Sequence, residues 1–203
     1  LVDADVESPV DHILLGIERT KIDEIHGFVP IINSEKCIRC GVCANRCPEH
    51  ALVGLPGKVP ILIQNICEGC SICRIVCPVG AISDGKRTLG AIYEAFWRDI
   101  KVIQGEVCPG VKQHVNVTVA TLEYASKYFE DYDYVIIDSS PGTGANVWLT
   151  LRRADLVVAV TEPTPLGLSD LERYMALVEK MRKRMLIVSV SYTHLTLPTT
   201  ERV

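Results

Sequence analysis

Apolar residues along this chain gather into short runs, and one longer amphipathic stretch separates the last two of them. Tyr134-Val-Ile-Ile-Asp138 is a brief β-branched run closed by an acid, and Ala154 to Val160 and Met185 to Val190 have the same character. Runs of this kind predict buried strands of a parallel sheet. Between the last two, Ser169-Asp170-Leu171-Glu172 predicts a helix start, with serine at the cap and acids in the first turn. Leu171, Met175, Leu177 and Val178 fall on one face of that helix, and Lys180, Arg182, Lys183 and Arg184 crowd its far end. Strand, helix and strand in succession predict α/β architecture. Leu1 to Pro9 reads as the end of a strand and the loop after it. Tyr93, Phe96 and Trp97 stand at near-helical spacing and read as packing groups. No apolar run approaches the ~18 to 20 residues of a bilayer span.

Composition narrows the function classes. The chain has 203 residues, 48% hydrophobic and 23% charged, the balance of a globular protein. Its 21 basic against 25 acidic side chains leave a net charge of −4, which argues against a polybasic nucleic-acid or membrane-surface binder. All but one of nine cysteines fall between Cys37 and Cys77. That concentration, and an opening Leu-Val-Asp-Ala-Asp with no basic and apolar leader, point to metal ligation in a reducing, cytoplasmic setting rather than to secreted disulfides.

The cysteines form two copies of one motif. Cys37, Cys40, Cys43 and Cys47-Pro48 repeat as Cys67, Cys70, Cys73 and Cys77-Pro78, an offset of 30 residues throughout. Both read C-x2-C-x2-C-x3-C-P. In two-cluster ferredoxins three thiolates of such a run hold one cluster and the fourth reaches the other. By that logic Cys37, Cys40, Cys43 and Cys77 hold one [4Fe-4S] cluster, and Cys67, Cys70, Cys73 and Cys47 hold a second. Small residues beside the ligands (Gly41, Ala44, Gly69, Ser71) leave room for backbone amides to donate to cluster sulfur. Zinc is the competing reading of C-x2-C pairs, but zinc has no use for a third cysteine at this spacing with a remote fourth. Residues 30–87 resemble the bacterial two-cluster ferredoxin fold, with strands expected at Val29 to Ile32 and Val59 to Gln64. Short helices are expected after each Cys-Pro, over Pro48 to Leu52 and Pro78 to Ile82.

The order of the flanking motifs carries a second resemblance. Asp3-Ala-Asp5-Val-Glu-Ser-Pro9, the cysteine block directly after it, Val135-Ile-Ile-Asp138-Ser-Ser-Pro141-Gly142, and Val160 through Ser169-Asp170-Leu171 together resemble MinD-superfamily P-loop ATPases that carry an inserted ferredoxin domain. The resemblance covers about residues 1 to 190. It implies a P-loop NTPase-like parallel sheet with helices on both faces, formed by residues 1–29 and 88–190 and interrupted by the insert at 30–87. It also implies Mg2+ and ATP as ligands of a homodimer when full length. Carried over by position, Asp5, or less directly Asp3, is the switch I carboxylate that orients the attacking water. Asp138 is the Walker B group on the Mg2+ side, and Pro141-Gly142 is the switch II turn that senses the terminal phosphate.

That family needs a glycine-rich loop with lysine to bind phosphate. Gly80 to Arg87 satisfies G-x4-G-K but puts Arg87 where a hydroxyl should ligate Mg2+, and it follows Cys77-Pro78 rather than a strand. The chain therefore reads as truncated at its N-terminus, with strand one, the phosphate loop and helix one in the missing segment, and is expected to bind two clusters but not to hydrolyse ATP by itself. Residues 191–203 read as a non-native tail. Cys108 and the five histidines read as structural or solvated. Two functions remain in view. One is ATP hydrolysis coupled to electron transfer or to cluster delivery, to a redox partner protein or an iron-sulfur acceptor. The other is a ferredoxin-like electron carrier or interaction module on a non-hydrolysing α/β scaffold.

Overall fold

The computed structural model describes residues 1–190 and divides the chain into two compact units, one ending at Asp138 and one beginning at Ser139. The tail expected at 191–203 lies outside the described residues.

In the first unit, β1 (Val2–Asp3) leads into a short helix, α1 (Asp11–Leu14), and then into a long strand, β2 (Thr20–Ile32). The cysteine block follows as α2 (Val42–Asn45), β3 (Leu52–Val53), β4 (Ile61–Leu62) and α3 (Ile72–Ile75). The chain returns through β5 (Ile82–Trp97), β6 (Ile100–Val107), α4 (His114–Ser126) and β7 (Ile137–Asp138). Five strands make one sheet in the order β2-β5-β6-β1-β7, and β3 and β4 pair separately. β6, β1 and β7 are parallel, whereas β2, β5 and β6 pair antiparallel. The parallel sheet expected from sequence is thus a mixed one, because a long hairpin ribbon extends its edge.

That ribbon organises the unit. β2 and β5 pair from Thr20 opposite Glu94 to Ile32 opposite Ile82, with register irregularities between Lys21 and Asp23 and between Ile25 and His26. The strands run unbroken through residues 30 and 87, the expected edges of the insert. At the inner end, Leu89 packs with Val6 and Val117, flanked by Ile25, Val107 and Val111. α4 buries Val117, Thr118, Thr121, Leu122 and Ala125, a 3.6-residue stripe, and its buried Thr121 hydroxyl donates to Val117 O at 2.8 Å. At the outer end Ile82 joins Cys43, Ala44, Leu52 and Cys73 in a second small core, against Phe28, Ile32, Leu62 and Val76.

The helices of the cysteine block fall inside the motif, not after it. Pro48 to Leu52 and Pro78 to Ile82 are turns leading into β3 and β5, whereas α2 and α3 lie between the second and fourth cysteines of each run. A helix after Cys47 would send the Ala51 N–H to the Cys47 carbonyl, but it goes to the sulfur instead. His50 at φ +52 and Gly80 at φ +60 then turn the chain out of helical geometry. Tyr93, Phe96 and Trp97 stand on β5, so their spacing is not helical. Of the run expected as a buried strand at Tyr134 to Asp138, only Ile137–Asp138 pairs, and Tyr134 is 87% exposed. β7 is the last strand of the sheet, with a neighbour on one side alone.

The second unit holds α5 (Ala145–Arg153), β8 (Leu156–Thr161), α6 (Pro165–Lys180) and β9 (Arg184–Ser189), with β8 and β9 parallel. Val147, Leu151, Val157 and Val178 form its core. α6 is capped five residues earlier than expected: Thr164 Oγ1 accepts the Gly167 N–H at 3.0 Å and Pro165 takes the first turn, leaving Ser169 and Asp170 inside the helix. Proline at that position gives up no hydrogen bond and is preset in φ. Among the described residues, no helix is long and apolar enough to cross a membrane.

Candidate metal centre

The duplication in sequence is a duplication in backbone. Three left-handed residues wind each cysteine loop, thirty positions apart: Arg39 and Gly69, Gly41 and Ser71, His50 and Gly80. A side chain makes that conformation unfavourable by about 1–2 kcal/mol, so the loops hold Arg39, Ser71 and His50 against their intrinsic preference. Alternation of hand along the backbone is the pattern of the concave N–H nests found at many iron-sulfur sites. Gly41 and Ser71 precede the one-turn helices α2 and α3, which bury the third cysteines, Cys43 and Cys73. The fourth cysteines are fixed by sulfur acceptance: Ala51 N–H donates to Cys47 Sγ at 3.3 Å, and Ala81 N–H to Cys77 Sγ at 3.2 Å.

Eight cysteines line two cavities. Cys37, Cys40, Cys43 and Cys77 surround one, with Ile32, Ile38, Val79 and Ile82 in its wall. Cys47, Cys67, Cys70 and Cys73 surround the other, with Glu49, Leu52, Leu62 and Glu68. Each cavity draws three cysteines from one repeat and one from the other. Four soft sulfur donors around each space fit a four-iron cluster. Burial, reinforced by neighbouring cysteines, pushes the thiols of Cys43 and Cys67 up and that of Cys73 to about 11. Loading the sites therefore releases protons.

One residue outside the repeats reaches the second loop. Gln113, buried just before α4, donates from Nε2 to the Cys67 carbonyl at 3.0 Å. A Cβ on Gly69 would stand 2.8 Å from Gln113 Oε1, so glycine meets both the positive φ of +70 and the close approach of that amide. Nothing periodic in the sequence marks Gln113, since its partner lies 46 residues away.

A separate group of acids gathers where β1 and β7 end. Asp3 and Asp138 are register partners at the last positions of these parallel strands. Oxygens of Asp3, Asp11 and Asp138 lie within 4.8 Å of one another. Asp3 is 1% exposed, and its carboxylate accepts from Gln104 Nε2 at 2.6 Å and from the backbone N–H groups of Asp5 and Asp11 at 3.2 and 3.3 Å. Arg19 in turn donates to Gln104 Oε1 at 2.6 Å and pairs with Glu106. Asp5 stands outside the trio, and Asp11, which the motif reading missed, stands in it. The only cue in sequence was an acid in the first turn of α1. Pro141 and Gly142 lie in the second unit ahead of α5, Gly142 at φ +91. Such a group suits Mg2+, which takes one or two carboxylates and keeps several waters.

Burial pushes the Asp3 carboxyl up, and burial together with the charges of Asp3 and Asp138 raises Asp11 from 3.8 to about 6. A carboxyl raised on folding holds its proton more tightly in the folded chain. Its effect on stability is absent below the unfolded value and becomes a penalty as pH rises from about 4 to about 6. Asp11→Asn is therefore expected to raise the urea midpoint at pH 7 and leave it unchanged below pH ~4. Equal shifts at both pH values would contradict this.

Cys108 follows β6 half-buried, its N–H donating to Leu89 O at 2.7 Å, and it lines neither cavity. Gly85, Lys86 and Arg87 of the G-x4-G-K match lie on β5 and present no phosphate loop.

Similarity to known proteins follows the same division. The chain is 33% identical over 182 residues to the uncharacterized protein MJ0579 of Methanocaldococcus jannaschii, an alignment of 89% of this chain and 64% of that protein. It is also 33% identical over 188 residues to the uncharacterized protein MJ0578 of the same organism, covering 92% of this chain and 65% of that protein. The chain thus spans a little under two thirds of the length of these relatives. Residues 30–83 match the 4Fe-4S dicluster domain. With two cysteine-ringed cavities in that span, the chain contains a ferredoxin-type dicluster domain, which supports an iron-sulfur electron-carrier or cluster-binding role for residues 30–83.

Proposed function

We propose that this chain carries electrons through two [4Fe-4S] clusters, one held by Cys37, Cys40, Cys43 and Cys77 and one by Cys47, Cys67, Cys70 and Cys73. The observation that supports it most is the crossed lining of the two cavities, three cysteines from one repeat and one from the other. A bound cluster supplies reversible one-electron chemistry. The protein's part is to hold four thiolates per cavity and to direct N–H groups at sulfur. The one-turn helices and the Ala51 and Ala81 N–H donors serve that end. The working setting in this reading is cytoplasmic, with a redox partner protein or an iron-sulfur acceptor.

A second level concerns the body that carries the dicluster domain. Asp3, Asp11 and Asp138 converge at the C-terminal ends of parallel strands, where open α/β sheets bind ligands. This favours a Mg2+-nucleotide role in the manner of MinD-superfamily ATPases, with residues 1–29 and 88–190 as the ATPase domain, 30–87 as the insert, and a homodimer as the working form. Asp138 and Asp3 would then hold the water shell of the metal, Asp5 would face the attacking water, and Pro141-Gly142 would follow the terminal phosphate. The plain electron carrier on a non-hydrolysing scaffold is the competing reading.

Anaerobic reconstitution of the full-length protein tests both levels. Iron and sulfide sufficient for two four-iron clusters, with reducible EPR signals, is the expected result. Zinc in their place would sink the electron-transfer reading. ATP turnover that disappears in Asp138→Ala and Asp5→Ala supports the ATPase level, whereas intact EPR signals without MgATP binding favour the carrier.

A further inference from the structure

Because the two cavities are related by a 30-residue repeat, any property their walls share cancels when they are compared. The donor sets are the same, four cysteines each. Each fourth cysteine accepts one N–H from the residue four positions on, at 3.3 and 3.2 Å. Wall positions are conservative between the repeats: Ile32 with Leu62, Ile82 with Leu52, Ala81 with Ala51, Pro60 with Pro30. At three equivalent positions they are not: Gly41 in the first cavity answers to Ser71 in the second, and the other two differ in charge. Ile38 and Val79 line the first cavity where Glu68 and Glu49 line the second. The first wall holds no charged side chain, and the second holds two carboxylates.

We propose that Glu49 and Glu68 set the two clusters at unequal potentials, the cluster held by Cys47, Cys67, Cys70 and Cys73 being the harder to reduce. The proposal rests on the reading that each cavity holds a cluster. Reduction adds one electron, delivered from an external one-electron donor, and neither makes nor breaks a ligand bond. Cluster type, sulfur hydrogen bonds, net charge and exposure govern the potential. The donor sets and the N–H bonds to the fourth cysteines match here, and the charge of the walls does not. Two carboxylates disfavour an added negative charge on their side. Arg87 opposes part of this: its guanidinium donates to Gln64 O at 2.6 Å and acts on Cys67. One positive charge offsets one of the two acids and leaves the sign of the difference unchanged. Arg39, the repeat mate of Gly69, adds a positive charge to the loop of the other cavity and acts in the same sense. A single electron given to the protein therefore resides on the Cys37, Cys40, Cys43 and Cys77 side.

Potentiometric titration of the reconstituted protein, followed by EPR with dithionite as reductant, tests this. Wild type is expected to reduce in two resolved waves. Glu49→Gln with Glu68→Gln, close in shape and without charge, is expected to raise the lower wave alone, by at least a tenfold change in electron partition, about 59 mV for one electron. Ile38→Glu with Val79→Glu, at positions 60% and 41% exposed, is expected to lower the upper wave alone. A glutamine pair that moves the upper wave, or neither, overturns the proposal, as does a glutamate pair that moves the lower one. Iron and sulfide content separates the failures. Two clusters with unmoved waves overturn this inference and leave the cluster reading standing, whereas wild type without clusters overturns both.

Discussion

Replacing Cys77 by alanine is expected to remove a four-iron signal from the cavity formed by residues on the far side of the repeat, not from the one beside Cys67, Cys70 and Cys73. The cavity linings lead to this result, because Cys77 closes the ring of Cys37, Cys40 and Cys43, and Cys47 closes the other. Paired substitutions make the expectation sharp. Cys37→Ala and Cys77→Ala act on one ring, so the double variant retains as much iron as either single one. Cys67→Ala with Cys77→Ala strikes both rings and leaves no intact four-ligand set. Residues acting on one site show such non-additivity, and residues acting on separate sites do not. If iron analysis and EPR instead gave additive loss for Cys37 with Cys77, ligation would lie within each repeat and the crossed arrangement would be wrong.

Leu89→Ala carries the largest expected effect on stability. Leu89 is 0% exposed on β5, packed with Val6 and Val117, and its Cδ1 stands 2.6 Å from where a Cβ on Gly27 would be. A cavity opened at so confined a position costs about 2–5 kcal/mol, against a total of roughly 5–15 kcal/mol for a typical domain. Loss of the packing between β5, the loop after β1 and α4 is expected to lower the urea midpoint of the reconstituted protein with little change in slope. A shift smaller than about 1 kcal/mol would mean that the side chain is not confined as described.

Local spacing made some of this legible and could not reach the rest. The cysteine repeat was readable because its signal lies within eleven residues and then recurs, and β8 and β9 were readable as short apolar runs. The acids of the D-x-D segment and Asp138 were noticed, but their grouping depended on the parallel pairing of β1 with β7, more than 130 residues apart, and that pairing selected Asp3 and Asp11 over Asp5. The sixteen residues of β5 escaped notice for a related reason. Gly85, Gly90 and several charges interrupt any alternation along it, and its partners in β2, about sixty residues earlier, and in β6 make it a strand. The misplaced helices after Cys47 and Cys77 had a different cause: sulfur acts as an acceptor in competition with the backbone carbonyl, and hydrophobic pattern does not register that.

The β2 and β5 ribbon also limits how the chain can vary in length. The cysteine block hangs from two strands paired from Thr20 and Glu94 out to Ile32 and Ile82, with the two register irregularities at their inner end. At about 3.3 Å per residue, the ten residues of β2 between Asp23 and Ile32 fix a span of about 30 Å. Inserting one residue into either strand would turn every side chain beyond it to the opposite face. Phe28 and Ile32 would then leave the small core under the clusters. Outside the two irregularities near Ile22 and Leu89, a one-residue change in one strand alone is therefore expected to disrupt this small core, whereas paired changes on both strands keep its face. The distance between the cysteine block and the carboxylate group is a discrete, stepped quantity, not a continuously adjustable one.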